Sequence, residues 1–392
     1  MNRSNRKRPR VGRRNRRRAA LLILACVSLV STLILCGLVI DVGNVNVART
    51  ELQRGADAAA LAAVATMMEQ SDWTAPPNTS VVSYHARNAA TEYVALNPCR
   101  GVNTMTLPRN DENTPNGDLV LGHYNSTTGV FDPNDTRYNA VRLFLRRDDV
   151  QNGPIPLFFG GLVGMRGVNA FARAGAYSET NISGFRPPQG ANPNDTSKLL
   201  PFSLNVKALD TNRLFPGWIG ADDEDPYSVT FEAPGNFGTV NLISPTSTSS
   251  GMVGNSANTM IRHIRLGPTG DELLTWGEDG FGLHSVDDND TWFAMLNGDT
   301  GVVAAMASAI EDILDQPRII MLHEEVTGQG NTAMFKVVCF VGIKITDFRL
   351  TGALRQRHIT FEPNGVQCDW AVGGGQAGVT ANFVYGPMTL WQ

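Results

Sequence analysis

The sequence lacks the short motifs by which common enzyme classes are identified. It contains no G-x-S-x-G, no H-E-x-x-H and no Walker A run, which are the usual signatures of serine hydrolases, zinc proteases and P-loop NTPases. His323 is followed by Glu324 and Glu325, but not by the second histidine that a zinc-binding helix needs. We therefore expect no catalytic residue, no cofactor and no metal ion. An anchored hydrolase stays open, because a site assembled from distant residues leaves no such signature.

Two further patterns fall short of a binding motif. The run "GGGQAG" at residues 373–378 fits G-x-G-x-x-G, but the residues after it are strand-like, whereas a dinucleotide site needs a helix to begin there. The acidic runs "DDEDP" at 222–226 and "DDND" at 287–290 could offer oxygen ligands to calcium, yet neither has EF-hand spacing. A loop and two solvated turns are the simpler interpretations.

Cysteine is scarce, with five in the chain and no C-x-x-C pair. Cys26 and Cys36 lie in an apolar run, which leaves Cys99, Cys339 and Cys368 in the rest of the chain. Three cysteines allow at most one disulfide within the chain. Sequence proximity alone favours Cys339 with Cys368.

Acidic residues are absent from the first 18 positions, which hold ten of the 33 lysines and arginines. The rest of the chain therefore has 23 basic against 37 acidic residues, a balance of about -14. A short basic tail can bind nucleic acid, but an acidic body repels phosphate. We predict no nucleic-acid partner and interpret the tail as a topology signal.

Residues 19–40, "AALLILACVSLVSTLILCGLVI", carry no charge. As a helix they would measure about 33 Å, enough to cross a hydrocarbon core of about 30 Å. The positive-inside rule then places residues 1–18 in the cytoplasm and 41–392 outside the inner membrane. A cleaved signal peptide is the alternative, but the run is long for one and no A-x-A site follows. The arginines that abut the run are Arg13, Arg14, Arg16, Arg17 and Arg18.

An alanine-rich segment, residues 41–70, follows the span. Apolar residues recur there at steps of three or four, which predicts one helical face and a rod of about 75 Å together with the span. Small residues let helices approach closely in membranes, so we expect this face to pack against partner helices. The alternative is an amphipathic helix that lies on the protein's own sheet. The expected packing residues are Leu52, Ala56, Ala59 and Ala63.

The remaining chain predicts an α+β fold. Residues 71–177 combine a helix at 80–97 with runs of alternating polarity, such as "NAVRLFLRRD", that are typical of strands. Residues 178–200 are rich in Pro, Asn, Gly and Ser and are interpreted as a linker. Residues 201–392 form a β-rich domain in which "GVVAAMASAIEDILDQP" predicts one helix. The apolar segment "GPIPLFFGGLVG" is opened by prolines.

The segment "DVGNVNVARTELQRGADAAALAAVA" resembles the N-terminal region of TadG-like proteins of Flp (tight adherence) pilus assembly, and "NAVRLFLRRD" through "VNAFARAGAY" resembles the section that follows it. Gly55 stands where alanine is commoner in that family. The resemblance implies a single-pass inner-membrane protein that works with pseudopilin-like and platform proteins. A von Willebrand A metal run, D-x-S-x-S, and prepilin processing signals are absent. The motif residues are Asp41, Gly43, Gln53 and Asp57.

We therefore predict a non-enzymatic, membrane-anchored pilus-assembly or pilus-associated protein that packs, and could oligomerise, through its N-terminal helix and presents an outer interaction surface. The alternative function is an anchored adhesin or glycan-binding module in the β-rich half. Trp292 and Trp391 are the aromatic residues that suggest it.

Overall fold

The computed structural model of the protein describes residues 12–69, 79–180, 182–192, 195–206, 227–230, 237–244, 256–287, 292–299, 304–353, 356–373 and 381–391. Most of the basic tail, the "DDEDP" run, all but the first residue of "DDND" and all but the first residue of "GGGQAG" lie outside these residues.

The N-terminal region is one long helix, α1 (Gly12–Glu69), of 58 residues and about 87 Å. It includes the stretch that is long and apolar enough to cross a membrane. Its residues 21–40 are exposed apart from Gly37, as expected for a surface that meets lipid. The predicted continuation of the apolar run into the alanine-rich segment is confirmed.

Helix α2 (Thr79–Leu96) precedes a five-stranded sheet in the order β2-β1-β3-β6-β21. Strand β21 pairs antiparallel with β6, from Met388 opposite Ser178 to Trp391 opposite Gly175. Trp391 also stacks on Tyr124, with ring centroids 4.6 Å apart. The last strand thus completes the sheet that the first half of the chain begins. The strands up to β6 and the last one are β1 (Leu119–Asn125), β2 (Val130–Asp132), β3 (Ala140–Arg147), β4 (Ile155–Pro156), β5 (Gly167–Val168), β6 (Ala170–Ser178) and β21 (Met388–Trp391).

A larger sheet has the order β12-β13-β10-β8-β14-β15-β16-β9, and β13 also pairs with β15. Strands β13, β10, β8, β14 and β15 therefore pair in a closed cycle, which leaves those strands without an open edge along their paired length. The strands are β7 (Ile182–Phe185), β8 (Leu199–Asn205), β9 (Tyr227–Thr230), β10 (Phe237–Val240), β11 (Phe281–Gly282), β12 (Ser285–Val286), β13 (Trp292–Asp299), β14 (Pro317–Thr327), β15 (Ala333–Arg349), β16 (His358–Pro363), β17 (Val366–Gln367), β18 (Ala371–Gly373), β19 (Ala381–Asn382) and β20 (Val384–Tyr385).

Short helices accompany this sheet: α3 (Ala257–Leu266), α4 (Gly270–Leu273) and α5 (Ala307–Glu311). The helix predicted across residues 301–317 is shorter in the described residues, where a 3-10 turn at Ala304–Met306 leads into α5. Asp315 has a positive φ of 58°, which ends helical geometry before Pro317 opens β14. Helix α3 was not anticipated.

The chain divides into two compact units whose limits differ from the predicted domains. The predicted linker 178–200 contains β7, which pairs with β11 and β18, so this segment is part of a folded unit. We call the first unit the stalk unit: Met1–Ala56, Tyr93–Leu107 and Phe144–Arg173. The second is the main unit: Asp57–Glu92, Pro108–Leu143 and Ala174–Gln392.

The main unit has two apolar core clusters, and they correct the expected disulfide. Cys339 belongs to one cluster and Cys368 to the other. Cys339 lies in β15 and Cys368 directly after β17, and both are buried free thiols. Burial raises the pKa of the Cys339 thiol to about 12, so this thiol stays protonated.

Candidate functional site

The stalk unit holds a short hairpin whose loop is unusually apolar for an exposed segment. Strands β4 and β5 pair antiparallel, and the chain between them makes a 3-10 turn at Gly160–Val163. The Leu157 N–H donates to the Arg166 carbonyl over 3.1 Å, which closes the base of the loop. We call residues 157–166 the apolar loop.

Large apolar side chains of the apolar loop face outward. Phe158 is 72% exposed, Leu162 is 70% exposed and Met165 is 52% exposed. Single exposed apolar residues are common on soluble proteins, but three large apolar side chains exposed on one short loop indicate a contact surface.

Asp41 fixes the apolar loop to α1. Its Oδ1 accepts a hydrogen bond from the Phe158 N–H over 2.7 Å, and its Oδ2 accepts one from the Phe159 N–H over 3.0 Å. Asn44, one turn further along α1, donates to the Pro156 carbonyl over 3.2 Å. The Asp41 side chain is buried, and these two backbone donors compensate the cost of burying its charge.

Gly37 lets the loop approach α1 within the apolar run. A Cβ at this position would lie 2.7 Å from Cγ of Phe159, so the Phe159 ring packs directly against the helix backbone. Gly37 is the buried residue in the otherwise exposed stretch 21–40. A larger residue at Gly37 would displace this ring.

A second set of contacts holds the chain before the hairpin. Buried Arg147 donates to the carbonyls of Cys99, Gly153 and Pro154 over 3.0, 3.0 and 3.2 Å. The Cys99 thiol donates to the Ala48 carbonyl of α1 over 3.3 Å. Burial raises the pKa of Cys99, against the opposing effect of Arg147, and keeps the thiol protonated as a donor. Sequence reasoning left Cys99 without a role.

The motif residues predicted from sequence have different surroundings. Gln53 donates to the Arg173 carbonyl on β6 over 2.8 Å. Asp57 is half-buried, and Gly43 is exposed with no atom within 4 Å of an added Cβ. Gly55 is buried, and an alanine Cβ there would meet Cβ of Asn97 at 3.3 Å, which explains why glycine suits this position.

The alanine stripe is covered by the chain itself. Leu52, Ala56, Ala59 and Ala63 are each at most 1% exposed. This burial corrects the expectation that these four residues contact partner helices, and it favours the alternative of a helix packed on its own fold. The large apolar residues of α1 that remain exposed are those of the apolar run and Val42 and Val47.

The arginines predicted as the topology signal lie at the N-terminal end of the exposed run. Arg13, Arg14, Arg16, Arg17 and Arg18 fall in the first turns of α1. They precede residues 21–36, which are all exposed.

Buried polar pairs in the main unit do not form an accessible reactive site. Ser203 Oγ lies 2.8 Å from His323 Nδ1, but both residues are fully buried, so no substrate reaches them. Glu272 contacts His263 and Arg262. Burial raises the pKa of Glu272, but hydrogen bonds from His263 and Thr269 and the charge of Arg262 outweigh it and lower the pKa to about 2. Within the described ranges, no three His, Cys, Asp or Glu side chains could hold a metal ion.

The main unit also has a cleft of about 600 Å³. Its lining combines the aromatic residues Tyr177 and Trp370 with the charged residues Glu179 and Arg186. The two tryptophans singled out in the sequence are not in this cleft. Trp391 stacks on Tyr124, and Trp292 packs against the core.

Family comparisons agree with the resemblance seen in the sequence. A family model described as Flp pilus-assembly TadE/G-like matches residues 19–66, and one described as Tad-like Flp pilus-assembly matches residues 44–176. These are not enzyme families. No curated protein and no solved structure matches the chain. The two matches together include Asp41 and the apolar loop, so the chain is similar to the Tad-like Flp pilus-assembly families over residues 19–176.

Proposed function

We propose that this protein is a non-enzymatic, single-pass component of a Flp-type pilus-assembly system in the inner membrane. The observation that carries the proposal is the exposed apolar stretch of α1, residues 21–40, inside the region that matches the pilus-assembly families. An exposed apolar helix of about 30 Å is costly in water and is stabilised by lipid.

The charge distribution supports an orientation. Positive residues before a span are retained in the cytoplasm, so the tail lies inside and residues 41–392 lie outside the inner membrane. The acidic balance of that outer part is compatible with export, because acidic residues contribute little to retention.

Partners would bind the exposed part of α1. Since the alanine stripe is buried, we place contacts with pseudopilin-like proteins, platform proteins or a second copy on residues 21–36 and on Val47. Side chains in lipid associate through close packing, with little hydrophobic gain. The main unit then presents its surface outside the membrane.

The membrane orientation of the protein and the partner contacts of α1 can be tested together. Alkaline carbonate should leave the protein in the membrane fraction, and alkaline phosphatase fused after residue 392 should be active. A photo-crosslinker at Val47 should give adducts with pilus-system proteins, whereas one at the buried position Leu52 should give none. A fusion active only in the cytosol, or equal adducts at both positions, would contradict the proposal.

Glycan binding is a second candidate, supported by the cleft in which the half-buried Tyr177 lies with Glu179. Aromatic faces with a nearby carboxylate suit sugar rings and hydroxyl groups. Detergent-solubilised full-length protein on a glycan array should bind a defined sugar, and Glu179→Gln should weaken that binding. An array without signal would contradict this function.

A further inference from the structure

The apolar loop lies beside the carboxyl end of the membrane span. We propose that residues 157–166 insert into the membrane leaflet at that end of the span, so that the protein has a second, interfacial contact with lipid. The inference rests on the proposed function, because it requires α1 to cross the bilayer.

The depth of the loop follows from its contacts with α1. Asp41 holds the backbone of Phe158 and Phe159 at the first residue after the uncharged run. Gly37, against which the Phe159 ring packs, lies four residues earlier, or about 6 Å along the axis toward the middle of the span. The loop therefore reaches back alongside residues that the bilayer surrounds.

The side chains of the loop suit a lipid interface. Phe158, Leu162 and Met165 are exposed, and the loop contains no acidic residue. Arg166, also exposed, stands at the end of the loop, where it can meet anionic headgroups. Apolar side chains next to a basic residue are the composition by which peripheral segments bind membrane surfaces.

The backbone hydrogen bonds of the loop also suit a medium with little water. An unpaired N–H is costly in lipid, so segments that enter a membrane pair their backbone groups internally. The apolar loop pairs at least six of its N–H groups, through Asp41 or through carbonyls of the loop itself. The donors are Leu157, Phe158, Phe159, Leu162, Gly164 and Met165.

Continuity favours lipid over a protein as the occupant of this surface. The Phe159 ring packs on Gly37, and residues 38–40 that follow Gly37 in α1 are exposed and uncharged, so the loop adjoins a part of α1 that the bilayer would surround. A protein partner or a second copy would have to displace lipid from both.

Cysteine labelling in nanodiscs of phosphatidylethanolamine and phosphatidylglycerol tests the proposal, because both membrane faces are open to the reagent. Leu162→Cys reports on the loop, and Val150→Cys is the matched control in the same unit, since Val150 is 84% exposed. We expect a water-soluble maleimide to label Leu162→Cys about tenfold more slowly, because an apolar medium suppresses the thiolate. Equal rates would overturn the inference.

Native cysteines separate this inference from the proposed function. Cys99, Cys339 and Cys368 are buried, and Cys26 and Cys36 lie in the span. If Cys26 is protected from the maleimide while Leu162→Cys reacts as fast as Val150→Cys, the proposed loop insertion is contradicted and the proposed membrane span is supported. If Cys26 itself reacts readily in nanodiscs, the proposed membrane span fails first.

Spin labels distinguish lipid from protein as the covering medium. A nitroxide on Leu162→Cys should collide more often with oxygen than with a nickel chelate, because oxygen concentrates in hydrocarbon. Low collision rates with both reagents would show a protein occupant and overturn the proposal, as would frequent collisions with the chelate. A nitroxide on Val150→Cys should favour the chelate.

Discussion

Asp41 connects two segments that lie 117 positions apart in the sequence, and it does so with a single buried carboxylate. In Asp41→Asn one oxygen is replaced by an NH₂ group, which cannot accept the hydrogen bond from Phe158 or Phe159. We expect a cost of about 1–3 kcal/mol for the unsatisfied buried donor. Hydrogen exchange at these two amides should accelerate, which mass spectrometry of the solubilised protein would detect.

Asp149→Asn is the matched control for that substitution, because Asp149 is exposed in the same unit and the charge change is identical. It should leave exchange in the apolar loop unchanged. Slow exchange in both variants would show that Asp41 does not hold the loop.

At the scale of single residues, the sequence predicts only one side of this contact, the Asp41 side chain. Asp41 was singled out through the motif that resembles the family, but nothing in the alternation of apolar and polar residues pointed to Phe158 and Phe159 as its partners. Backbone N–H donors carry no sequence signal, and their approach depends on the fold of everything between them. The role of Gly37 was not predictable either, because one glycine in an apolar run looks like an ordinary small residue.

At the scale of elements, Arg147 holds the turn after α2 and the start of the hairpin through the carbonyls of Cys99, Arg100, Gly153 and Pro154. Arg147→Lys keeps the charge but replaces a planar fork of five donors with one ammonium group, which cannot span these acceptors. We expect the variant to be destabilised by about 1–3 kcal/mol if the buried Cys99 carbonyl is left unpaired, and by less for the partly exposed carbonyls. Limited proteolysis should cut between residues 148 and 156 faster than in wild type.

Arg166→Lys provides the comparison, because Arg166 is exposed and its replacement leaves no buried acceptor. Its proteolysis pattern should match wild type. A similar pattern in Arg147→Lys would show that the carbonyl contacts contribute little.

Helices α3 and α4 are joined by the buried pair His263 and Glu272. Because the pKa of Glu272 falls from 4.5 to about 2, its stabilisation is complete above about pH 4.5 and is lost as the pH drops toward 2. The shift corresponds to about 3 kcal/mol in the free energy of unfolding. Urea unfolding followed by tryptophan fluorescence between pH 5 and 2 would measure it.

Glu272→Gln should flatten this acid dependence, whereas Glu278→Gln, at an exposed position, should retain it. An unchanged slope in Glu272→Gln would place the acid sensitivity elsewhere.

Most elements were predictable because their periodicity is local. The apolar stripe of α1, the alternation in β3 and β6, and the long run that forms β15 were all visible in the sequence. Helix α3 and the short strand β7 were not, because a polar helix and a four-residue strand next to proline-rich chain resemble loops. The alanine stripe was recognised as a packing face, but small residues suit a partner helix and the protein's own core equally well.

At the scale of the whole molecule, strand β21 was missed because four residues carry too little pattern. Deleting residues 387–392 should expose the edge of β6 and remove the Trp391 ring from Tyr124 and Gly175. We expect the five-stranded sheet to be destabilised, which would be measured as a lower unfolding midpoint. Trp391→Ala tests the ring alone, because it keeps the strand, and should give a smaller decrease. An unchanged midpoint in the deletion variant would contradict the role of β21.

The position of β21 has a consequence for biogenesis. A chain that is threaded through a translocon from its anchored end delivers β6 long before the strand that covers it. During that interval the edge of β6 presents unpaired N–H and C=O groups that could recruit another nascent chain. If residues 41–392 are exported as proposed, β6 needs either a factor that covers its edge or release rapid enough for β21 to pair with it first. A chain truncated before β21 would then be prone to aggregation.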